Sequence, residues 1–129
     1  MANKDKESKS IVAQFWATMQ TNDFREAAQL LSEDFVLEWP QSGECIRGPD
    51  NFAALNEHYP AARRWRFTVL RILAEGDQVV SDVGVTDGEI TGRAITFSTV
   101  REGRIVSQVE FWPDAFEPAE WRAHWVERL

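Results

Sequence analysis

Apolar residues at Ile11, Val12, Phe15, Trp16 and Met19 fall at i, i+1, i+4, i+5 and i+8, a single stripe along a helix. Ser8 or Ser10 is placed to cap that helix, which leaves residues 1–8 as a flexible polar tail. Thr21-Asn22-Asp23 breaks the stripe, and Asn22 or Asp23 caps a second helix that buries Phe24, Ala27, Ala28 and Leu31. The period then changes to two. Phe35, Leu37 and Trp39 alternate with Val36 and Glu38, as in a strand. Pro40-Gln41-Ser42-Gly43 turns the chain into a short segment over 44–47. Gly48-Pro49-Asp50 then opens a third helix, with proline at a position where no helical amide bond is lost. Phe52, Leu55 and Tyr59 form its buried stripe, and Pro60 closes it.

Four longer stretches follow, 65–73, 78–86, 90–100 and 104–112, all rich in β-branched and aromatic residues. Glu75-Gly76-Asp77, Thr86-Asp87-Gly88 and Arg101-Glu102-Gly103 separate them and read as hairpin turns. Gly84 and Gly92 inside two of the strands imply bends that curl the sheet. Pro113 ends the last strand, and Pro118 begins a final helix with Trp121, Trp125 and Leu129 at i, i+4 and i+8. The predicted class is α+β: helices grouped against a strongly bent antiparallel sheet, as one domain over residues 1–129.

Charge narrows the partners. Acidic residues outnumber basic ones 21 to 14, a net charge of −7, so neither nucleic acid nor an anionic membrane is expected as a partner. Arg63, Arg64 and Arg66 form the one basic cluster, which is too short for a phosphate-binding footprint. No apolar run approaches a membrane span, and the polar first ten residues do not resemble a signal peptide, so a cytoplasmic protein is expected. Cys45 is the single cysteine and reads as an inert, partly buried thiol. No histidine or carboxylate spacing suggests a metal site, and no glycine-rich loop suggests a phosphate-bearing cofactor, so no metal and no cofactor are expected.

The segments FWATMQTNDF (15–24), LLSEDFVLEWP (30–40), IRGPDNF (46–52), EGDQVV (75–80) and REGRIVSQVEFWPD (101–114) resemble, in order and spacing, the nuclear-transport-factor-2-like superfamily and its SnoaL-like group. The resemblance implies a cone, in which a bent sheet wraps the helices around an apolar cavity. It also sets up a residue-by-residue comparison with enzymes of that superfamily. The tyrosine and the base of ketosteroid isomerase correspond to Phe15 and Trp39, and its second aspartate falls near Thr96. Neither Phe nor Trp can serve as donor or base in those roles, so that chemistry is not expected here. The Arg-x-Asp pair of limonene epoxide hydrolase corresponds to Val83 and Val85, which cannot activate water. Only the acid on the final strand survives, as Glu110.

Glu110 therefore carries the expectation of chemistry, with two readings open. The resemblance points Val106, Gln108, Glu110 and Trp112 into the cone. The hydrophobic pattern prefers Ile105, Val109 and Phe111 for the inner face, which would leave Glu110 in solvent or paired with an arginine. A glutamate inside an apolar cavity would hold its proton to higher pH and act as acid or base. His58 is a candidate assisting residue because histidine is the side-chain type suited to relaying a proton near neutrality, against the alternative of a surface histidine at a helix end. Phe15, Trp16, Met19, Trp39, Phe52, Tyr59, Trp65, Val83, Val85 and Trp112 are the candidate lining of a pocket for a small apolar molecule. The competing reading is that these rings simply fill the cone. The functions to be separated are a cofactor-free isomerase, cyclase or dehydratase of the polyketide-cyclase kind, a ligand carrier without chemistry, and a dimeric interaction module. Apolar residues on both faces of the strands further predict a homodimer joined through the sheet's outer face.

Overall fold

The structure, a computed structural model, describes residues 2–129. Helix α1 spans Ala2–Gln20 and α2 spans Phe24–Ala28. Strands β1 (Leu31–Trp39) and β2 (Glu44–Arg47) precede α3 (Pro49–His58). Strands β3 (Arg66–Glu75), β4 (Gln78–Thr86), β5 (Thr91–Arg101) and β6 (Arg104–Phe111) complete the sheet. A short 3-10 helix, Glu120–Trp125, lies beyond it. The six strands form one curved, unclosed sheet in the order β2-β1-β6-β5-β4-β3.

The first helix begins at Ala2, six residues before the expected Ser8 cap. Residues 2–8 are helical because the β3–β4 turn holds them: the Gly76 amide donates to Asp5 Oδ1 at 2.6 Å, and Ser8 Oγ donates to the Gly76 carbonyl at 2.8 Å. Met1, also assigned to the tail, lies outside the described residues. The short second helix ends before Leu31, which opens β1 instead.

Asn22 makes the turn between α1 and α2 in a left-handed conformation (φ 65°). Its side chain accepts from the Trp65 amide at 2.9 Å and donates to the Trp65 carbonyl at 2.8 Å, tying that turn to the entry of β3. Gly48, at φ 83°, turns the chain from β2 into α3, and its amide donates to the Phe35 carbonyl at 2.8 Å. The third helix is thereby fastened to β1.

One pairing departs from the antiparallel expectation. Strand β1 runs parallel to β6, while every other neighbouring pair is antiparallel. Hairpin turns cover only adjacent strands, and β1 reaches β6 after the chain has passed through β2, α3 and three further strands. Register shifts in β1–β6, β3–β4 and β5–β6 supply the irregularities that bend the sheet.

Helices cover the concave side. Val79, Ser81, Val83 and Val85 of β4, Ala94, Thr96, Ser98 and Val100 of β5, and Gln108 and Glu110 of β6 are buried there. A chain of rings crosses the interior from β1 to β3. Phe35 meets Phe52 (5.9 Å between centroids), Phe52 meets Phe15 (5.7 Å), Phe15 meets Trp16 (5.0 Å) and Trp16 meets Phe67 (5.9 Å). Such tilted and edge-on contacts are the favoured aromatic geometry.

The final helix predicted from Pro118 does not form as such. Only the 3-10 turn at Glu120–Trp125 is present, and it buries none of its side chains. The i, i+4 spacing of Trp121 and Trp125 describes a helical stripe, but among the described residues the stripe is packed against no part of the chain. A helix this short depends on such packing.

Candidate functional site

The sheet register builds a polar row across an otherwise apolar interior. Ser81 of β4 pairs with Thr96 of β5, and Thr96 pairs with Glu110 of β6. On the other side of β6, one position past the Glu38–Val109 pair, Trp39 of β1 reaches Glu110. The row is continuous with α1, because Trp16 Nε1 donates to Ser81 Oγ at 3.0 Å.

Glu110 points inward and is 6% exposed. Phe111, its neighbour on the strand, lies on the outer face with Val109, whereas Ile105 is fully buried in the core, on the far side of the register shift between Thr99 and Val100. The hydrophobic pattern misjudged this strand because the outer face carries an apolar row of its own.

Three donors reach the Glu110 carboxyl. Trp39 Nε1 and Trp112 Nε1 each donate to Oε1 at 3.0 Å, and Thr96 Oγ1 donates to Oε2 at 2.6 Å. Burial pushes its pKa above the ordinary glutamate value, and the hydrogen bonds from Thr96, Trp39 and Trp112 only partly oppose that. The sequence comparison treated Trp39 as the loss of a base. It missed the indole N–H as a donor, and it missed Thr96 as a partner of Glu110. The cross-strand register is the signal that joins them, and it is invisible until the β5–β6 turn is fixed.

Two other carboxyls are buried, and each has a structural explanation. Asp82 is held by Arg93 (Nη2–Oδ2 2.9 Å) and Arg71 (Nε–Oδ2 3.1 Å), and its hydrogen bond with Arg93 is the main cause of a lowered pKa. Asp87 accepts from the amides of Ala62 (2.8 Å), Ile90 (2.7 Å) and Glu89 (2.9 Å), which lower its pKa to about 2. Glu110 has neither a cation nor a backbone amide among its partners.

The remaining candidates divide into three groups. Phe15, Trp16, Met19, Phe52, Val83 and Val85 are buried in the core, packed among one another. Trp39, Trp65 and Trp112 are half-buried and pack against it. Trp112 lies over Gly92, where an added Cβ would stand 3.5 Å from its ring. Tyr59 is a correction: at 54% exposure, with its ring edge-on to Trp65, it lies outside the core. His58 is exposed as well, and its Nδ1 bonds the Ala54 carbonyl at 2.8 Å.

His58 and Tyr59 do share a space, an open groove of about 590 Å³ between β2 and α3 that also exposes Cys45, Arg47 and Leu55. Glu110 does not line it, so the structure does not bring the two proposed catalytic residues to one surface. A second groove, of about 530 Å³, runs between Arg25, Asp50 and Arg104. Cys45 is exposed, not partly buried, because β2 is an edge strand. Among the described residues no three His, Cys, Asp or Glu side chains converge to hold a metal ion, and no helix is long and apolar enough to cross a membrane.

This arrangement agrees with known proteins. The SnoaL-like domain model matches residues 12–108. A Kribbella flavida protein named as a ketosteroid isomerase is 32% identical, with 97% of this chain and 91% of that one covered at a TM-score of 0.89. An NTF-2 like protein of unknown function from Burkholderia xenovorans is 26% identical, with 96% of each chain covered at 0.79. An LEH-like epoxide hydrolase from M. tuberculosis shares the fold at 23% identity, with 84% of each chain covered and a TM-score of 0.69. No curated protein matches the sequence. The cone built by β1–β6, with the model match running from α1 into β6, establishes that this chain belongs to the SnoaL-like family of the nuclear-transport-factor-2-like superfamily.

Proposed function

We propose that this domain takes a small, largely apolar molecule bearing a carbonyl or hydroxyl oxygen into the interior beside Glu110, and that Glu110 carries the proton in a cofactor-free isomerisation, cyclisation or dehydration. One observation carries the reading. Of the three buried carboxyls among the described residues, Glu110 alone has a raised pKa and is held by neither a cation nor a backbone amide. A neutral glutamic acid can donate to a ligand oxygen and take the proton back from carbon. The half-buried indoles of Trp39 and Trp112 connect it to the surface and are the side chains that a ligand displaces on entry. Relatives named for ketosteroid isomerase, epoxide hydrolase and polyketide cyclase activity support small-molecule chemistry in this fold. His58 serves the groove at β2–α3 and is not part of this step.

The test is a titration of wild type and Glu110→Gln with small aromatic phenols and ketones. Binding is followed by tryptophan fluorescence, and α-proton exchange of the ketones in D2O by NMR. Both proteins should bind, and exchange should fall at least ~100-fold in the variant, as for loss of a positioned acid or base. Equal accelerated exchange by both proteins removes Glu110 from the chemistry, and exchange at the protein-free rate in both leaves a carrier. Absence of binding up to millimolar ligand removes the small-molecule reading itself.

A second reading, pairing of two copies through the outer sheet face, has its own support. Leu73, Phe97 and Phe111 are exposed there, and soluble monomers seldom leave such a patch uncovered. It is compatible with the first reading, because the two use opposite faces of the sheet.

A further inference from the structure

The segment after β6 is more apolar than any linker needs to be. Residues 113–129 carry Phe116, Trp121 and Trp125 at 81%, 75% and 77% exposure, and Val126 and Leu129 are exposed as well. The Arg128–Glu117 pair, at 3.1 Å, joins two residues of the segment itself. Among the described residues, its 3-10 helix packs substantially on no other element. Segments that stay solvated are poor in aromatic residues. This one has three large rings, and among the described residues none of them is buried against its own chain.

The outer face of the sheet offers a matching surface. Strand register places Leu73, Val80, Phe97 and Val109 in one row across β3, β4, β5 and β6. Phe111 packs edge-on to Phe97, 6.3 Å between centroids. Beside that row stand Arg71 and Arg93, both turned to Asp82, with Arg71 engaged only through Nε. In a chain of net charge −7 this is a locally cationic strip. The segment answers it, because its acids Asp114, Glu117, Glu120 and Glu127 outnumber Arg122 and Arg128, and among the described residues Glu117 alone is paired within the segment. The complementarity covers both apolar area and charge.

We propose that residues 113–129 form an arm that packs on the outer sheet face of a second copy of this chain, with its rings along the margin of the apolar row that the paired faces share and its acids toward Arg71 and Arg93. A second copy is the fitting occupant because the arm departs from Phe111, itself an outer-face residue at the end of β6. A two-fold pairing of outer faces then sets each arm beside the other copy and satisfies both arms at once. The proposal rests on the pairing of outer faces described above and adds the element that locks it.

Sedimentation equilibrium and acrylamide quenching of tryptophan, measured across the same concentration range, test it with four proteins. These are the full chain, a chain ending at Pro113, Trp121→Ser/Trp125→Ser, and Phe97→Arg. The full chain should dimerise at micromolar concentration, with quenching falling as dimer forms. Both arm variants should dimerise at least tenfold more weakly with unchanged circular dichroism, and the double point variant covers the case in which the shortened chain does not fold. Phe97→Arg should be monomeric. If the arm variants pair as tightly as the full chain, the arm proposal is overturned while the face-to-face pairing stands. Ring protection that does not depend on concentration would mean an arm folded on its own chain, and would also overturn it. A full chain that stays monomeric overturns the arm and the pairing together.

Discussion

Phe35→Ala should lower the unfolding free energy by about 3–5 kcal/mol, the usual range for emptying a fully buried phenylalanine site. Phe35 is completely buried on β1 and stands at one end of the ring chain that runs through Phe52, Phe15 and Trp16 to Phe67. Its removal withdraws the edge-on partner of Phe52, and the Gly48–Phe35 backbone bond keeps α3 from collapsing into the gap. Phe35→Leu should recover most of the loss, leaving about 1–1.5 kcal/mol, because it refills the volume without the ring contact. Urea denaturation of the three proteins measures both differences. A loss below about 1 kcal/mol for the alanine variant would show that the interior is not packed around this chain of rings.

Glu110→Gln should make the protein more stable than wild type at neutral and alkaline pH, with the difference shrinking toward zero as the pH falls to about 4.5. Burial raises the folded-state pKa of Glu110 above its ordinary value of 4.5. As pH rises past that value, the unfolded chain gives up its proton first while the folded chain still holds it. The unfolded state then binds fewer protons, and stability declines until the pH passes the folded value. Each tenfold tightening of the folded chain's hold on the proton is worth about 1.4 kcal/mol. Glutamine removes the titration and keeps the shape. Its carbonyl can accept both indole N–H groups, and its amide can donate to Thr96, whose hydroxyl accepts as readily as it donates. Asp87, with its pKa lowered to about 2, contributes stability that is lost only as pH falls below its ordinary 3.8, so it leaves the window above 4.5 undisturbed. Chemical denaturation of both proteins between pH 4.5 and 8.5 decides the matter, and parallel profiles would mean that Glu110 is ionised in the fold throughout.

The architecture was largely legible because it rests on local signals. The strand 78–86 coincides with β4, and the three Gly-containing turns fall between the strands they were expected to join. Where sequence reasoning failed, the missing information was long-range. Residues 2–8 look like a tail until the Gly76 turn, far along the chain, is seen holding Asp5 and Ser8. Trp121 and Trp125 look like a helix because their spacing fits one, but spacing cannot supply the partner surface.

The candidate site was half legible. Glu110 was singled out by resemblance, but its orientation was not decided by pattern, because Val109 and Phe111 form an apolar face that belongs to the outside. Trp39 and Thr96 were both on the page as replacements for catalytic residues elsewhere in the superfamily. Their meeting at one carboxyl depends on the pairing of three strands, which no single stretch of sequence encodes. Tyr59 was placed inside because it lies in the stripe of α3, and it is exposed because the helix ends at His58 and the chain turns outward there.

The parallel contact between β1 and β6 constrains the order in which the molecule can be made. Strands β3 to β6 are joined by tight turns and can zip in sequence, but β1 and β2 have no place in the sheet until Arg104–Phe111 has been synthesised. Closing so long a loop costs chain entropy before any contact repays it, so this step is expected to be late. During translation the first half of the chain therefore waits with β1 unpaired on one side, an edge open to other chains. In refolding, amides of Val36–Glu38 should gain protection after those of β4, and simultaneous protection would place the parallel pair in the folding nucleus instead. The cost of closing the cone thus falls at the end of synthesis, when the interior row around Glu110 is assembled last.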